Sequence, residues 1–418
     1  MSSTPPRDVA RRRVFYIPGY DPIPPRRYRE LYRKEGAAQA AISGYDVALL
    51  PKTGAAYGWT VEGRFGVDAV RADIEVLVWS DIVRDSMSNS IAATYLQLLQ
   101  TSWIYLRSGA LRRLMWLRKG PVIAALYPVV FLLVQLQLAL LAGWLAGRGV
   151  RAGLERVFSG AAGGIMGQVA LALALLAGLG LAVAVLRWFR ARDGRFFAYY
   201  LMHDYAYSAR LNGANSPELE ARMAAFGDTI AAALQEPVDE VLVVGHSSGA
   251  HLAVMVLADL IRAGRVPLGG PKLGFLSLGQ VVPMISFLPK AQRLRADLQF
   301  LSESAALTWV DVTAPGDGCA FALCDPVAVS GVARAAKRWP LVLSAAFTQT
   351  LSPARWKELR WRFFRLHFQY LCAFDRPGDY DYFEITAGPL SLAERYRNRA
   401  PSKSRIDVPA SGHVSVAA

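Results

Sequence analysis

The 418-residue chain is predicted to be an α/β protein, a mostly parallel sheet flanked by helices and interrupted by a two-helix apolar hairpin. Three observations carry this expectation. Short apolar runs alternate with helix-length segments on both sides of residues 107–195, the pattern of a sheet covered on both faces. One run, Glu240 to Val244, leads through a glycine- and serine-rich turn straight into an amphipathic segment, Ser248 to Ala263. Two further stretches are long and wholly uncharged.

Val14 to Ile17 is a short apolar run ending in Pro18-Gly19, a buried strand entering a tight loop. A basic helix is expected from about Arg27 to Ile42, then strands at Asp46 to Leu50 and Ile74 to Trp79, the latter rich in β-branched residues. A helix from about Ser90 to Leu106 leads into the apolar region. Beyond it the spacing predicts a helix over Pro217 to Leu234, a strand over Leu273 to Leu278, a helix near Lys290 to Ser302 and a strand over Leu307 to Val312. Trp356 to Tyr370 reads as one continuous helix, and the polar tail from Pro401 as loose. The expected organisation is residues 1–106 as the first part of the main domain, 107–195 as the inserted hairpin, 196–400 as the remainder and 401–418 as the tail.

Pro121 to Ala146 and Ile165 to Leu186 contain no charge. As helices they reach roughly 39 and 33 Å at 1.5 Å per residue, enough to cross a hydrocarbon core of roughly 30 Å. Arg107, Arg112, Arg113, Arg118 and Lys119 precede the pair, and Arg187, Arg190, Arg192 and Arg195 follow it. Only Arg148, Arg151 and Arg156 lie between. The bias of basic residues towards the inner face then puts both flanks, the main domain and both termini in the cytoplasm. Trp116, Trp144 and Trp188 stand near the run ends, where interfacial aromatics belong. Gly160 and Gly164, and Gly167 and Gly178, are small residues suited to close helix packing.

Composition agrees with this division. Hydrophobic residues make up 53% and charged residues 19%, with the apolar excess concentrated in the hairpin. The net charge of +14 suits an anionic partner. Lipid is favoured, because the basic residues flank the apolar runs and no nucleic-acid-binding motif is present. Cys319, Cys324 and Cys372 have neither disulfide-framework nor zinc spacing. Arg11-Arg12-Arg13 is followed by a strand-like run rather than an apolar leader, which argues against a signal peptide.

Gly245-His246-Ser247-Ser248-Gly249 matches G-x-S-x-G between a strand and a helix. Such a turn holds the serine in a strained conformation at the carboxyl edge of the sheet with its hydroxyl exposed, and the glycines avoid clashes at the crossing. On these residues the sequence resembles the α/β-hydrolase superfamily, in particular its lipase- and esterase-like members. The resemblance implies an α/β-hydrolase-type sheet, Ser247 as nucleophile and a triad in the order serine, acid, histidine.

That order places the acid and base after Ser247. Asp317 follows the strand LTWVDV in a loop and is the first candidate acid, with Asp325 as the alternative. His367, in RLHFQYLCAFD, is favoured as base over His413 near the end of the chain. His203, His246 and His251 fall outside the expected order or beside the turn. For the oxyanion hole the amide of Ser248 is one donor, and Tyr20, in the early Pro18-Gly19-Tyr20 loop, is the other. No metal-ligand spacing and no nucleotide-binding motif is seen, so neither metal nor cofactor is expected.

The expected function is therefore a membrane-anchored serine hydrolase acting on carboxylic esters or thioesters, with lipids as plausible substrates by location. Two alternatives stay open. One is a catalytically inactive, hydrolase-like scaffold that binds a lipid or protein partner, and the other an acyltransferase using the same acyl-enzyme.

Overall fold

The computed structural model describes residues 8–22, 24–51, 57–87, 90–157 and 164–417. Eight strands form one sheet: β1 (Arg11–Ile17), β2 (Asp46–Pro51), β3 (Gly58–Phe65), β4 (Asp68–Val76), β5 (Glu240–His246), β6 (Lys272–Leu278), β7 (Thr308–Thr313) and β8 (Leu341–Ser344). Their order is β2-β3-β4-β1-β5-β6-β7-β8. All neighbours from β4 to β8 run parallel, while β2, β3 and β4 form an antiparallel meander at one edge. The expected α/β class and mostly parallel sheet are present.

Alternation along the strands explains the two-sided core. Val14, Tyr16, Ile74, Leu242, Val244, Leu276 and Val310 point to the face covered by the helix Arg26–Ser43 and by residues between Phe347 and Tyr396. Their neighbours Phe15, Val241, Val243, Phe275 and Trp309 point to the opposite face and are equally buried. Because both faces are covered, β5 reads as an unbroken apolar run from Val241 to Gly245. Strand order reverses at β1, which has β4 on one side and β5 on the other. The carboxyl ends of strands at such a reversal form the natural crevice of an open α/β sheet.

Several expectations change in detail. β3 is not foreseen, because Gly58, Glu62, Gly63 and Arg64 break the apolar alternation of an edge-side hairpin strand. The four-residue β8 is too short for a periodic signal. The continuous helix expected from Trp356 to Tyr370 is instead three pieces: Pro353–Leu359, Phe363–His367 and a 3-10 turn, Gln369–Leu371. Leu366, His367, Gln369, Tyr370 and Leu371 are all buried, more directions than one stripe of a straight helix can bury. The tail from Pro401 is not loose either. Ile406 donates its amide to Leu323 O and accepts from Asp325 N, and the amides of Ala410 and Ser411 both reach Val329 O.

The chain divides into two compact units. One, carrying the sheet, comprises residues 1–85, 104–124 and 208–418; the other comprises 86–103 and 125–207. Residues 104–124, expected partly with the hairpin, therefore go with the sheet.

The long apolar helices are Lys119–Val157, of 39 residues, and Ile165–Ala191, of 27 residues. Both are long and apolar enough to cross a membrane, reaching about 58 and 40 Å. Leu138, Leu141, Leu175, Leu176 and Leu179 are all exposed, and Ala174 is the buried residue of the second helix. Where the two helices touch, a side-chain carbon on Gly143 would lie 2.5 Å from Gly178 O, and one on Gly147 would lie 3.0 Å from Ala174 O. The close approach thus uses Gly143-x-x-x-Gly147 against Ala174-x-x-x-Gly178. Of the glycines expected there, Gly178 takes part, Gly164 meets nothing nearby and Gly160 lies outside the described residues.

Candidate active site

Ser247 sits where β5 turns into the helix Gly249–Arg262, with φ of +56°. A non-glycine residue in the left-handed region costs on the order of 1–3 kcal/mol, so the surroundings must enforce it. They do so through close packing. A side-chain carbon on Gly249 would lie 2.0 Å from Ile17 O and 2.7 Å from Pro18 O. One on Gly245 would lie 2.7 Å from Ala250 Cα. The two motif glycines let the helix start press directly against the end of β1. Ser247 N–H is held by Leu278 O at 2.9 Å, tying the turn to β6 as well.

The loop after β1 reaches the serine from the other side. A carbon added at Gly19 would meet Ser247 Cβ at 2.9 Å and Oγ at 3.3 Å. Trp79 Nε1 donates to Pro18 O at 2.9 Å and fixes the loop. Tyr20 follows, buried. Ser248 stands at the helix start without a side-chain capping hydrogen bond, where the first amides have no intrahelical acceptor.

Fifty residues apart in sequence, His367 and Asp317 meet: His367 Nδ1 donates to Asp317 Oδ2 at 2.7 Å. The Tyr370 hydroxyl donates to the same oxygen at 3.0 Å, and Cys319 N–H to Oδ1 at 2.8 Å. Burial pushes the Asp317 carboxyl up, but the His367 charge and these hydrogen bonds outweigh it, so its pKa lies below the ordinary value. The other ring nitrogen, Nε2, is buried and has no hydrogen-bond partner among the described residues; in the neutral ring with Nδ1 as donor it is the nitrogen that holds the lone pair. An imidazole oriented by a buried carboxylate, with the other nitrogen free, has the arrangement in which a histidine can accept a proton.

His246, the variable residue of the turn, joins the serine to this pair. Its Nε2–H donates to the His367 carbonyl at 3.0 Å, and the two rings stand 4.9 Å apart. Burial, reinforced by the neighbouring His367, pushes its pKa down to about 3, so it stays neutral and holds His367 as a hydrogen-bond donor only.

The remaining sequence candidates go elsewhere. Asp325 caps the helix Pro326–Val329 by accepting from Val327 and Ala328 amides, and pairs with Lys337 at 2.6 Å. That is a structural role, which removes it as the acid. His413 Nε2 contacts Ser108 O at 3.2 Å, and no hydrogen bond among the described residues joins it to Asp317 or Asp325, so the structure does not pair it with either candidate acid. Asp311, buried in β7, accepts from Ser277 Oγ at 2.5 Å and is pushed up to about 8 by desolvation. His203 lies in the other unit and bonds Gln97 at 2.7 Å.

Sequence reasoning missed Tyr370 and the bridging role of His246. Tyr370 carries no motif signal, and the turn motif leaves the position of His246 variable, since each acts through a contact made by distant packing. No metal-ligand spacing is read from the sequence, yet the fold brings ligand atoms of Asp317, Cys319 and His367 within 4.8 Å of one another. A cation there would displace the hydrogen bond between Asp317 and His367, so the residues present fit the paired dyad better than a metal centre. No family model, curated protein or solved structure gives a significant match to this chain.

Proposed function

We propose that this chain is a membrane-anchored serine hydrolase of α/β-hydrolase type, cleaving carboxylic esters or thioesters through Ser247, His367 and Asp317. The observation that carries the reading is a His367–Asp317 pair with a free Nε2, bridged by His246 to a serine strained at the end of β5. The strand order supports the hydrolase type, since the serine and the β1 loop meet at the point of strand-order reversal.

In this mechanism Ser247 Oγ attacks the acyl carbon while His367 Nε2 takes its proton. The carbonyl electron pair moves onto oxygen, and the Ser248 and Tyr20 amides stabilise that oxyanion. Collapse expels the alcohol or thiol, which takes the proton from Nε2 and leaves the acyl group on Ser247. Water, deprotonated by the same nitrogen, attacks the ester, and the acid departs as Oγ regains its proton. Asp317 keeps the imidazolium oriented throughout, and Tyr370 steadies Asp317.

Serine Oγ and His367 Nε2 make no hydrogen bond in this state. Catalytic hydrogen bonds are often long before substrate binds and tighten in the complex. Anchoring rests on the two apolar helices and their arginine flanks, with the sheet-bearing unit on the cytoplasmic side by the inner-face bias of basic residues. The test is hydrolysis of p-nitrophenyl esters of increasing chain length by the detergent-solubilised chain. Turnover that disappears in His367→Ala and persists in His413→Ala supports the reading; turnover unchanged in both contradicts it.

A further inference from the structure

The segment that carries His367 also carries a surface that the catalytic reading does not use. Between the helices Pro353–Leu359 and Phe363–His367, Trp361 is 73% exposed and Phe363 45% exposed, their rings edge to face at 6.5 Å. Arg355, Lys357, Arg360, Arg362 and Arg365 flank them in sequence, against the one carboxylate of Glu358, and the Arg360 guanidinium lies over the Trp361 ring at 5.6 Å. Glu358 is shared by Arg355, Arg362 and Arg365 at 3.0 to 3.3 Å, so the patch keeps a strong positive charge. Exposed aromatics among basic side chains are poorly suited to bulk water and well suited to the headgroup region of an anionic bilayer.

Its place in the fold points the same way. The Phe363 ring lies 3.2 Å from where a side-chain carbon on Gly318 would stand, and Gly318 follows Asp317. A carbon on Gly120 would in turn lie 4.0 Å from Gly318 Cα. Gly120 is the second residue of Lys119–Val157, the first of the two membrane-length helices. Immediately before it, the helix Ala110–Leu117 buries Ala110 and Leu114 and leaves Trp116 92% exposed, with Arg112 and Arg113 also exposed. The Asp317 loop thus stands between the aromatic turn and the start of the first apolar helix.

We infer that the Trp361–Phe363 turn lies in the headgroup layer of an anionic membrane, so that the site opens towards lipid and draws acyl lipids from that surface. This rests on the membrane reading of the two helices. It is independent of whether Ser247 is reactive, because the turn's contact with lipid needs no catalysis.

A fluorophore placed at the turn tests it. Trp361→Cys, and Leu268→Cys as a control, are made in a Cys319→Ser, Cys372→Ser background and labelled with bimane. Leu268 is fully exposed in the loop before β6, at the opposite ends of the parallel strands. Cys324 is fully buried and burial raises its thiol pKa, which slows labelling, and the part-exposed Cys372 is replaced by serine together with Cys319. Each chain is reconstituted into phosphatidylcholine–phosphatidylglycerol vesicles containing nitroxide-labelled lipid. The expected result is strong loss of fluorescence at 361 and none at 268, with the loss at 361 reduced by Arg360→Gln, Arg362→Gln and Arg365→Gln together. An integrated chain that resists alkaline carbonate yet shows equal fluorescence at both sites overturns the inference alone. A chain stripped off by carbonate overturns the membrane reading with it.

Discussion

On one side of the site, every residue from Glu240 to Ala258 is buried except Ser247. On the other, the segment from Pro353 to Leu371 alternates buried anchors such as Leu359, Leu366 and Tyr370 with exposed Trp361 and Arg362. The first arm gets its geometry from neighbours in sequence: an apolar strand, two glycines and a helix start. The second gets it from contacts fifty residues or more away, through Asp317, His246 and the core under the sheet. Substitutions in the first arm should therefore act by steric conflict, and those in the second by loss of hydrogen-bonded orientation.

The largest effect that would sharpen this contrast is at His367, the proposed base. His367→Ala is expected to lower kcat/KM by on the order of 10³ to 10⁶, while His413→Ala leaves it within a fewfold; esterase assays on both variants decide. Asp317→Asn should cost on the order of 10⁴ in kcat with little change in KM, because it removes the acceptor that holds the ring and its tautomer. A split in which KM moves instead would make Asp317 a substrate-contacting group.

In the first arm, Gly249→Ala puts a methyl 2.0 Å from Ile17 O. Overpacking of this kind costs about 1–3 kcal/mol, so thermal melting in detergent should drop together with activity. Unchanged melting would mean that the crossing has slack and that the glycine is not demanded there. Tyr370→Phe removes a hydrogen bond to Asp317 and the acceptor of Ala314 N–H. A loss of about 1–3 kcal/mol follows from leaving a buried donor unsatisfied, with kcat lowered and the pH profile moved while the serine arm stays intact.

A pH-dependent effect on stability, rather than on turnover, comes from two aspartates six residues apart. Asp317 lies below its usual pKa and Asp311 is pushed up to about 8, although both are fully buried. Desolvation acts on each, and only Asp317 has a histidine to offset it. Asp311 keeps a proton in the folded state that the unfolded chain releases above about pH 4. Stability from this site is therefore full below the unfolded pKa and declines as pH rises towards 8, by at most about 1.4 kcal/mol per pH unit. Asp317 has the opposite sign, contributing above the unfolded pKa and losing it as pH falls through the lower folded value. Melting at pH 5 and pH 7.5 should converge in Asp311→Asn; an unaltered difference would place the pH dependence elsewhere.

The same contrast explains what was legible in the sequence. Glu240 to Ala263 announces its strand, turn and helix because each signal is local, and the charge-free helices announce themselves by length. That Asp317 and His367 come together was anticipated for Asp317 by its place after a strand and for His367 by the chain order the resemblance implies, while the segment of His367 was expected to be a single helix. Tertiary anchoring of Leu366, Tyr370 and Leu371 overrode that periodicity. Tyr370 and His246 as supports were out of reach, since nothing local marks a residue whose function is to hold another. The GWLAG contact of Gly143 and Gly147 was visible in principle, but its partner at Ala174 and Gly178 is set by the register of two helices.

The most direct measurement is labelling of the detergent-solubilised chain with a fluorophosphonate, followed by mass spectrometry of the modified peptide. One adduct on Ser247, lost in Ser247→Ala and strongly slowed in His367→Ala, is the predicted result. A folded chain that takes no label, or that carries it on another residue, would contradict a catalytic role for the strained serine.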